Sequence, residues 1–196
     1  KETIQEIVRL AQQTPSWVNS EPWRVYAATG QSLTQIRQGC LDLAAQKVAT
    51  NPDLKTMSRD DWDARPQKLM KDWGHDLVHS FTDFDEAHTV MTGASDALNN
   101  APAILFVTIP KQTPDWAILD AGAFMQSLLL AATAKGLGSI PTYNSVRYPQ
   151  VVRQVLGIPE TERLLVGVEL GYESSAKVNA FRAQRPDLSD VLKISE

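Results

Sequence analysis

The chain has 196 residues, 43% of them hydrophobic, and a formal net charge of −4. This length suffices for one substantial core, and the negative charge argues against a nucleic-acid-binding protein, which would normally carry a basic face. Its one cysteine, Cys40, cannot form an internal disulfide, and no segment approaches about 18 consecutive apolar residues. The sequence therefore predicts a cytoplasmic protein without a membrane span, with Cys40 as a half-buried thiol on a helix.

The chain begins with a predicted helix, a polar loop and a strand. Residues 23–30 are rich in β-forming side chains and end at a glycine, which indicates the strand. The apolar residues with helical spacing that precede the loop are Ile4, Ile7, Val8 and Ala11.

Beyond this strand the pattern predicts further helices, two buried strands and no internal repeats. Arg37 is expected on the outer face of the first of these helices, and Gly136 is expected to end the last one in a left-handed conformation. The alternation predicts one α+β domain over residues 1–196. The predicted helices cover residues 33–48, 60–80, 85–99 and 117–135, and the buried strands cover 103–109 and 163–172.

The loop over residues 14–23 combines rigidity with small polar groups. Pro15 and Pro22 restrict its backbone, while Ser16 and Asn19 supply side-chain donors. Such a loop can hydrogen-bond a planar, acceptor-rich ligand. The alternative is a simple connector between a helix and a strand.

This loop resembles a family signature. The pattern Pro15-Ser16-x-x-Asn19-x-x-Pro22-Trp23 is similar to the helix–loop–strand motif of FMN-dependent nitroreductases, although Glu21 stands where glutamine is usual. Residues 136–141, 148–159 and 166–172 resemble the family's second half. Residues 178–186 resemble its phosphate-binding tail in the nitrobenzoate-reductase-like branch. The resemblance covers most of residues 1–30 and 100–190, whereas the middle of the chain carries no specific match.

The resemblance implies a nitroreductase-like fold: a mixed, mostly antiparallel central sheet flanked by helices, in a homodimer with its flavin sites between two chains. It implies FMN as cofactor and NAD(P)H as reductant of a nitroaromatic, quinone or similar small acceptor. The alternatives are a flavin-dependent dehydrogenase or dehalogenase of a specific metabolite, and a non-catalytic flavin-binding module. No catalytic side chain is assigned, because the cofactor carries the chemistry.

The resemblance also assigns cofactor-binding residues in three segments. The early loop and the segment after the long helix are expected at the flavin ring, the latter through backbone N–H groups. Two arginines three residues apart are expected to converge from a helical turn on the phosphate, while Asn179 either caps or braces the loop that presents them. Without the resemblance, the two arginines would be interpreted as a solvated surface. Tyr143 either covers the ring edge or packs at a strand end. The assigned residues are Pro15, Ser16, Trp17, Asn19, Pro141, Thr142, Tyr143, Arg182 and Arg185.

Three further features remain. His75 and His79 have metal-ligand spacing on a predicted helix, but no third ligand appears, so no metal site is assigned. Trp62 and Trp73 are expected on one helix face, either in packing or as an aromatic wall of the flavin pocket. The family's N-terminal arginine-rich run, which grips the phosphate, is absent, and we expect that it was lost from this sequence.

Overall fold

The computed structural model describes residues 1–195 and divides into two compact units. The first unit comprises Lys1–Lys55 and Gly93–Glu173, and the second comprises Thr56–Thr92 and the residues from Ser174 onward. The prediction of a single domain stays a prediction. The described helices are α1 (Glu2–Ala11), α2 (Gly30–Ala45), α3 (Ala64–His79), α4 (Phe84–Asp96), α5 (Asp115–Ala134) and α6 (Pro149–Leu156). The strands are β1 (Arg24–Thr29), β2 (Ala103–Pro110), β3 (Gly138–Thr142) and β4 (Glu162–Gly171).

The first unit is built on a four-stranded sheet with the order β1-β2-β4-β3. Every neighbouring pair is antiparallel, so the described sheet contains none of the parallel pairs that a mixed sheet would have. The two strands predicted to be buried, β2 and β4, occupy the centre, as continuous apolar runs favour. β1 and β3 therefore form the two edges.

Helices cover both faces of this sheet. Apolar residues of α2 and α6 pack on one face around Phe106, and those of α1 and α5 pack on the other around Leu105 and Val107. On the second face the rings of Trp23 and Phe124 stack with their centroids 4.6 Å apart. The alternation of side chains along β2 thus feeds two separate cores.

Helix α5 is the longest helix and has two kinds of apolar surface. By length and composition it could cross a membrane, with a mean hydropathy of 1.5, but Phe124 and Leu128 are fully buried in a core. Trp116, Leu119 and Leu130 are 55%, 61% and 62% exposed. After the helix Gly136 has a φ of +73°, which confirms the left-handed residue predicted there.

Two expectations for α2 were wrong. Arg37 is half-buried, because its Nε donates to the carbonyl oxygen of Ala97 at 2.8 Å and its Nη2 donates to that of Ala101. Cys40 is 2% exposed rather than half-buried, because the face of α2 that carries Leu33, Ile36 and Cys40 packs against the sheet. Burial raises the pKa of its thiol to about 11.

The second unit contains α3, the first part of α4 and the C-terminal tail. Its small core joins Leu77, Phe81 and Ala87 with the partly buried Val178 and Phe181 of the tail. The pairing of Trp62 with Trp73 on one helix face was wrong, since α3 begins only at Ala64. The helix starts late because Pro66 suits the first turn of a helix and disfavours continuation on its N-terminal side.

Candidate functional site

The early loop is fixed by hydrogen bonds of its own chain. The N–H of Glu21 donates to Ser16 Oγ at 2.9 Å, and the N–H of Trp17 donates to Asp120 Oδ2 on α5 at 3.0 Å. Val18 and Asn19 have φ angles of 50° and 56°, a left-handed conformation that is unusual outside glycine and costly for a β-branched residue. The loop is therefore a strained, preformed structure.

The same loop exposes the groups that a ligand could meet. Trp17 is 62% exposed, and Pro15 and Asn19 are also exposed. Just before the loop, the buried Thr14 is tied to α5 by a 2.6 Å hydrogen bond to Ser127 Oγ. The sequence predicted Ser16 as a donor toward a ligand; its oxygen accepts the N–H of Glu21, which leaves the hydroxyl hydrogen for donation.

The segment from Pro141 to Tyr143 ends the edge strand β3. Pro141 is exposed, Thr142 is half-buried and Tyr143 is 37% exposed. The Tyr143 hydroxyl donates to Thr50 Oγ1 at 3.2 Å, which directs the ring along the surface of its own chain.

A buried carboxyl group lies behind Thr142. Glu169 in β4 is 2% exposed, and its oxygens are 2.7 Å from Thr142 Oγ1 and 2.7 Å from Asn99 Nδ2. Burial raises the pKa of Glu169, while these two hydrogen bonds and the charge of Arg37 oppose the rise. Sequence reasoning missed Glu169, although a single acidic residue inside the apolar run 164–170 was a signal.

The loop and the β3 segment lie at opposite edges of the sheet. The loop leads into β1, while Thr142 pairs with Gly167, which is level with Phe106 of β2 and Tyr26 of β1. Three strand spacings separate the two edges, about 14 Å. A single chain thus presents the two predicted ring-binding segments at opposite edges of its sheet.

The predicted phosphate-binding arginines lie in the tail of the second unit. Arg182 Nη1 donates to the carbonyl oxygens of Asn179 and Phe181 at 2.5 and 2.9 Å, and Arg185 Nη1 donates to those of Ala183 and Gln184 at 3.1 and 3.2 Å. The expected helical turn was wrong, since residues 181–187 are irregular. Because no helical turn directs the two side chains to one point, each guanidinium donates to carbonyl groups close to it in the chain.

Asn179 braces this tail, as one of its two predicted roles required. Its Nδ2 donates to the carbonyl oxygen of Ser174 at 3.0 Å and to Ser174 Oγ at 3.2 Å. These contacts close the turn at Lys177–Ala180 that precedes the two arginines.

Arg185 also lines a groove of about 890 Å³ within the second unit. Arg65 and Lys68 of α3 line it as well, and Trp73 provides an aromatic wall there. The groove is not purely cationic, because four carboxylates share it: Asp72, Asp76, Asp187 and Asp190. Arg65 and Lys68 had carried no prediction, since their side chains reach Arg185's surroundings only through the fold.

The paired histidines form a stack instead of a metal site. The rings of His75 and His79 lie 3.9 Å apart, and His79 Nδ1 is 2.8 Å from the carbonyl oxygen of His75. Among residues 1–195 no three His, Cys, Asp or Glu side chains are grouped to hold a metal ion.

These features define an α+β protein with an antiparallel sheet between two helical layers and a rigid, exposed loop at one edge. Residues 1–172 match the family model described as "Nitroreductase family", and the chain belongs to this family. The resemblance and the predicted α+β class are thereby confirmed, whereas the described strands form an antiparallel sheet and not the mixed one expected.

Relatives and solved structures agree with this assignment. The chain is 26% identical over 190 residues to a 4-nitrobenzoate reductase of Pseudomonas putida, covering 94% of this chain and 82% of the relative. It is 26% identical over 181 residues to a 4-nitrobenzoate reductase of Nocardioides sp., covering 89% and 73%. The crystal structure of the FMN-dependent nitroreductase NfnB from Mycobacterium smegmatis in complex with NADPH superposes with a TM-score of 0.90 at 27% identity, covering 100% of this chain and 88% of that one.

Proposed function

We propose that this protein is an NAD(P)H-dependent FMN oxidoreductase that reduces nitroaromatic compounds such as nitrobenzoates, and quinones or similar small acceptors. The observation that carries the proposal is the likeness over the whole chain to an FMN-dependent nitroreductase crystallised with NADPH. The two relatives named as 4-nitrobenzoate reductases support a nitro-substituted benzoate as the first acceptor to test.

The chemistry of the exposed donor groups fits FMN. A phosphate monoester needs donors with positive charge, and guanidinium groups bind it through paired hydrogen bonds. Among residues 1–195 the acceptors of Arg182 and Arg185 are main-chain carbonyl oxygens, which an anion can replace at low cost. We assign Arg185 and then Arg182 to the phosphate.

The flavin ring needs flat surfaces and main-chain donors. We assign it to the loop residues Pro15, Ser16, Trp17 and Asn19 and to the segment Pro141–Tyr143, all of which belong to the first unit. The strained loop is held in shape by Asp120, so its groups are ordered before a ligand arrives. Binding then loses less entropy, which favours affinity and a defined ring orientation.

When bound, FMN supplies the group that accepts a hydride from NAD(P)H and passes it to the acceptor. The residues of the chain orient the ring, and Trp17 together with Tyr143 limits access of water to it. No side chain is given the role of acid or nucleophile. Selectivity among acceptors then depends on the shape of the site.

The functional unit in this proposal is a homodimer whose flavin sites are shared between chains. Trp116, Leu119 and Leu130 lie on one side of α5 and expose apolar surface that a second copy would cover. The two ring-binding segments lie at opposite edges of the sheet, so two chains could bring one segment each to a common site. The protein would work in the cytoplasm, where its one thiol stays reduced.

The test is an absorbance spectrum of the purified protein followed by steady-state assays. We expect flavin bands near a ratio of one FMN per chain and NAD(P)H oxidation that depends on 4-nitrobenzoate. A panel of quinones and halogenated or saturated metabolites distinguishes the other flavin enzymes of this fold, which would turn over one metabolite far faster. Protein that binds FMN but does not oxidise NAD(P)H, whichever acceptor is added, would be a binding module. Protein that binds no FMN would contradict the proposal.

A further inference from the structure

Glu169 is a carboxyl group in the middle of the sheet. It lies in the central strand β4, level with Ile104 of β2 and Ile140 of β3. A carboxyl group removed from water is costly unless its oxygens have hydrogen-bond partners. The identity of those partners therefore indicates what the group is for.

The partners of Glu169 come from two separate segments. One is Thr142 at the end of β3, and the other is Asn99, each with a 2.7 Å contact. Asn99 is in a turn of three successive left-handed residues, with φ angles of 49°, 50° and 51° from Leu98 to Asn100. Arg37 donates to the carbonyl groups of the residues on either side of this turn. A single carboxyl group thus ties a strained turn to the segment assigned to the flavin ring.

A chain of hydroxyl groups continues from Glu169. Thr142 Oγ1 is 3.0 Å from Ser145 Oγ, and Ser145 Oγ donates to the carbonyl oxygen of Thr142 at 2.9 Å. Ser145 already fills the space that Gly167 leaves, since a Cβ at Gly167 would lie 2.2 Å from Ser145 Oγ. Packing against Gly167 and these hydrogen bonds hold the two hydroxyl oxygens, while their hydrogens can turn.

The protonation state of Glu169 decides which way the Thr142 hydroxyl points. A neutral carboxyl group donates to Thr142 Oγ1, which leaves the Thr142 hydrogen for Ser145. A carboxylate instead accepts the Thr142 hydrogen, and Ser145 Oγ then no longer accepts a hydrogen bond from Thr142. The charged group near Glu169 is Arg37 of α2, while β3 and the turn contribute the uncharged Thr142 and Asn99.

We propose that Glu169 is a positioning residue that sets the conformation and polarity of the Pro141–Tyr143 segment through the hydroxyl of Thr142. The inference rests on the proposed function, because it takes this segment as the one that faces the flavin. Through the Pro141–Tyr143 segment, the turn at 98–100 and the charge state of the Glu169 carboxyl group affect the redox potential of the cofactor, although neither contacts the cofactor. Burial raises the pKa of Glu169, so its titration lies closer to working pH than that of an ordinary glutamate.

A matched pair of threonines provides the test. Thr142 donates to Glu169, and Thr108 donates at 2.5 Å to Glu162, which is 3% exposed at the other end of β4. The FMN-loaded variants Thr142→Val, Thr108→Val and Glu169→Gln are compared with the wild type by measuring the flavin midpoint potential as a function of pH. Thr142→Val and Glu169→Gln are expected to change the ratio of affinities for oxidised and reduced flavin roughly tenfold, which is about 30 mV for a two-electron couple.

The control and the conservative variant decide the outcome. Thr108→Val should lower stability and leave the potential unchanged, and Thr142→Ser should restore the wild-type potential because it keeps the hydroxyl group. Equal shifts from Thr142→Val and Thr108→Val, or no shift from Thr142→Val while the wild type binds FMN, would overturn the inference alone. A wild type that binds no FMN would overturn it together with the proposed function.

Discussion

The main-chain N–H of Trp17 donates a 3.0 Å hydrogen bond to Oδ2 of Asp120, which links the early loop to the buried side of α5. Asp120 is 8% exposed, and the loop that it holds contains two successive left-handed residues, Val18 and Asn19. Such backbone strain persists only where the surroundings enforce it. The shape of the loop should therefore depend on this carboxylate together with the hydrogen bond from Glu21 to Ser16.

Replacing Asp120 with alanine should weaken FMN binding by about 1.5 kcal/mol, the low end for a hydrogen bond to a charged group. The loss comes from a loop that is no longer ordered before binding, so fluorescence titration with FMN measures it directly. Asp42→Ala is the control, because Asp42 is an exposed carboxylate of α2 that accepts only from Gln38 among residues 1–195. Equal weakening by both substitutions would show that the loop is not held by Asp120.

Arg185→Ala should weaken FMN binding by about 2 kcal/mol, since a charged donor to the phosphate is lost. Binding of riboflavin, which has no phosphate, should change little. The difference between the two titrations therefore gives the contribution of the phosphate to the binding free energy. Arg9→Ala on the exposed side of α1 is the matched control. Arg37 is unsuitable for that purpose, because it holds the turn between Ala97 and Ala101. A similar loss of riboflavin affinity would contradict the assignment of Arg185.

The fold was largely predictable because its strongest signals are local. The continuous apolar runs around Phe106 and Val168 read as central strands, and the glycine after α5 reads as a helix end. Arg37 was misplaced, because helical spacing gives a residue's direction around its own helix but not which carbonyl groups another segment brings to it. The late start of α3 was missed for a different reason: the spacing of Trp62 and Trp73 suits one helix face, whereas Pro66 favours a helix that begins close to it.

The candidate site was predictable where it depends on a motif and not where it depends on contacts between distant segments. The loop at Pro15–Asn19 was recognised by its residue types, but the role of Asp120, about a hundred residues later in the chain, could not be read from spacing. Glu169 was missed for the same reason. Its partners Asn99 and Thr142 come from a turn and an edge strand that only the sheet register brings together.

In the proposed homodimer, Leu119→Asp should separate the two chains and cause the loss of FMN. The side chain is 61% exposed on α5, and a carboxylate there would be buried without a partner if a second copy covers this side. Analytical ultracentrifugation with detection at the flavin bands measures mass and cofactor together. Leu41→Asp is the control, since Leu41 is 38% exposed on α2. A flavin-bound monomer of either the wild type or Leu119→Asp would contradict a site shared between chains.

Glu169→Gln should change how stability depends on pH. Burial raises the pKa of Glu169 above its ordinary value of 4.5, so the folded state holds this proton more tightly than the unfolded state does. The stabilisation is fully present below 4.5 and is lost as the pH rises through the raised pKa. Glutamine has no proton to lose, so the free energy of unfolding of the variant should rise relative to the wild type across this window. Urea unfolding at a series of pH values measures the difference, and parallel curves would contradict it.

Cys40 should react with thiol reagents only when the protein unfolds. Its side chain is 2% exposed, and burial raises the pKa of the thiol to about 11, so little reactive thiolate exists near neutral pH. The rate of labelling by a chromogenic disulfide reagent should therefore follow the opening of the core around α2, and denaturant should increase it in step with the loss of helical circular dichroism. Cys40→Ser combined with Ser58→Cys is the control, because residue 58 is exposed and its thiol should react at once in the folded protein. Rapid labelling of Cys40 without denaturant would show that α2 leaves the sheet far more often than its burial implies.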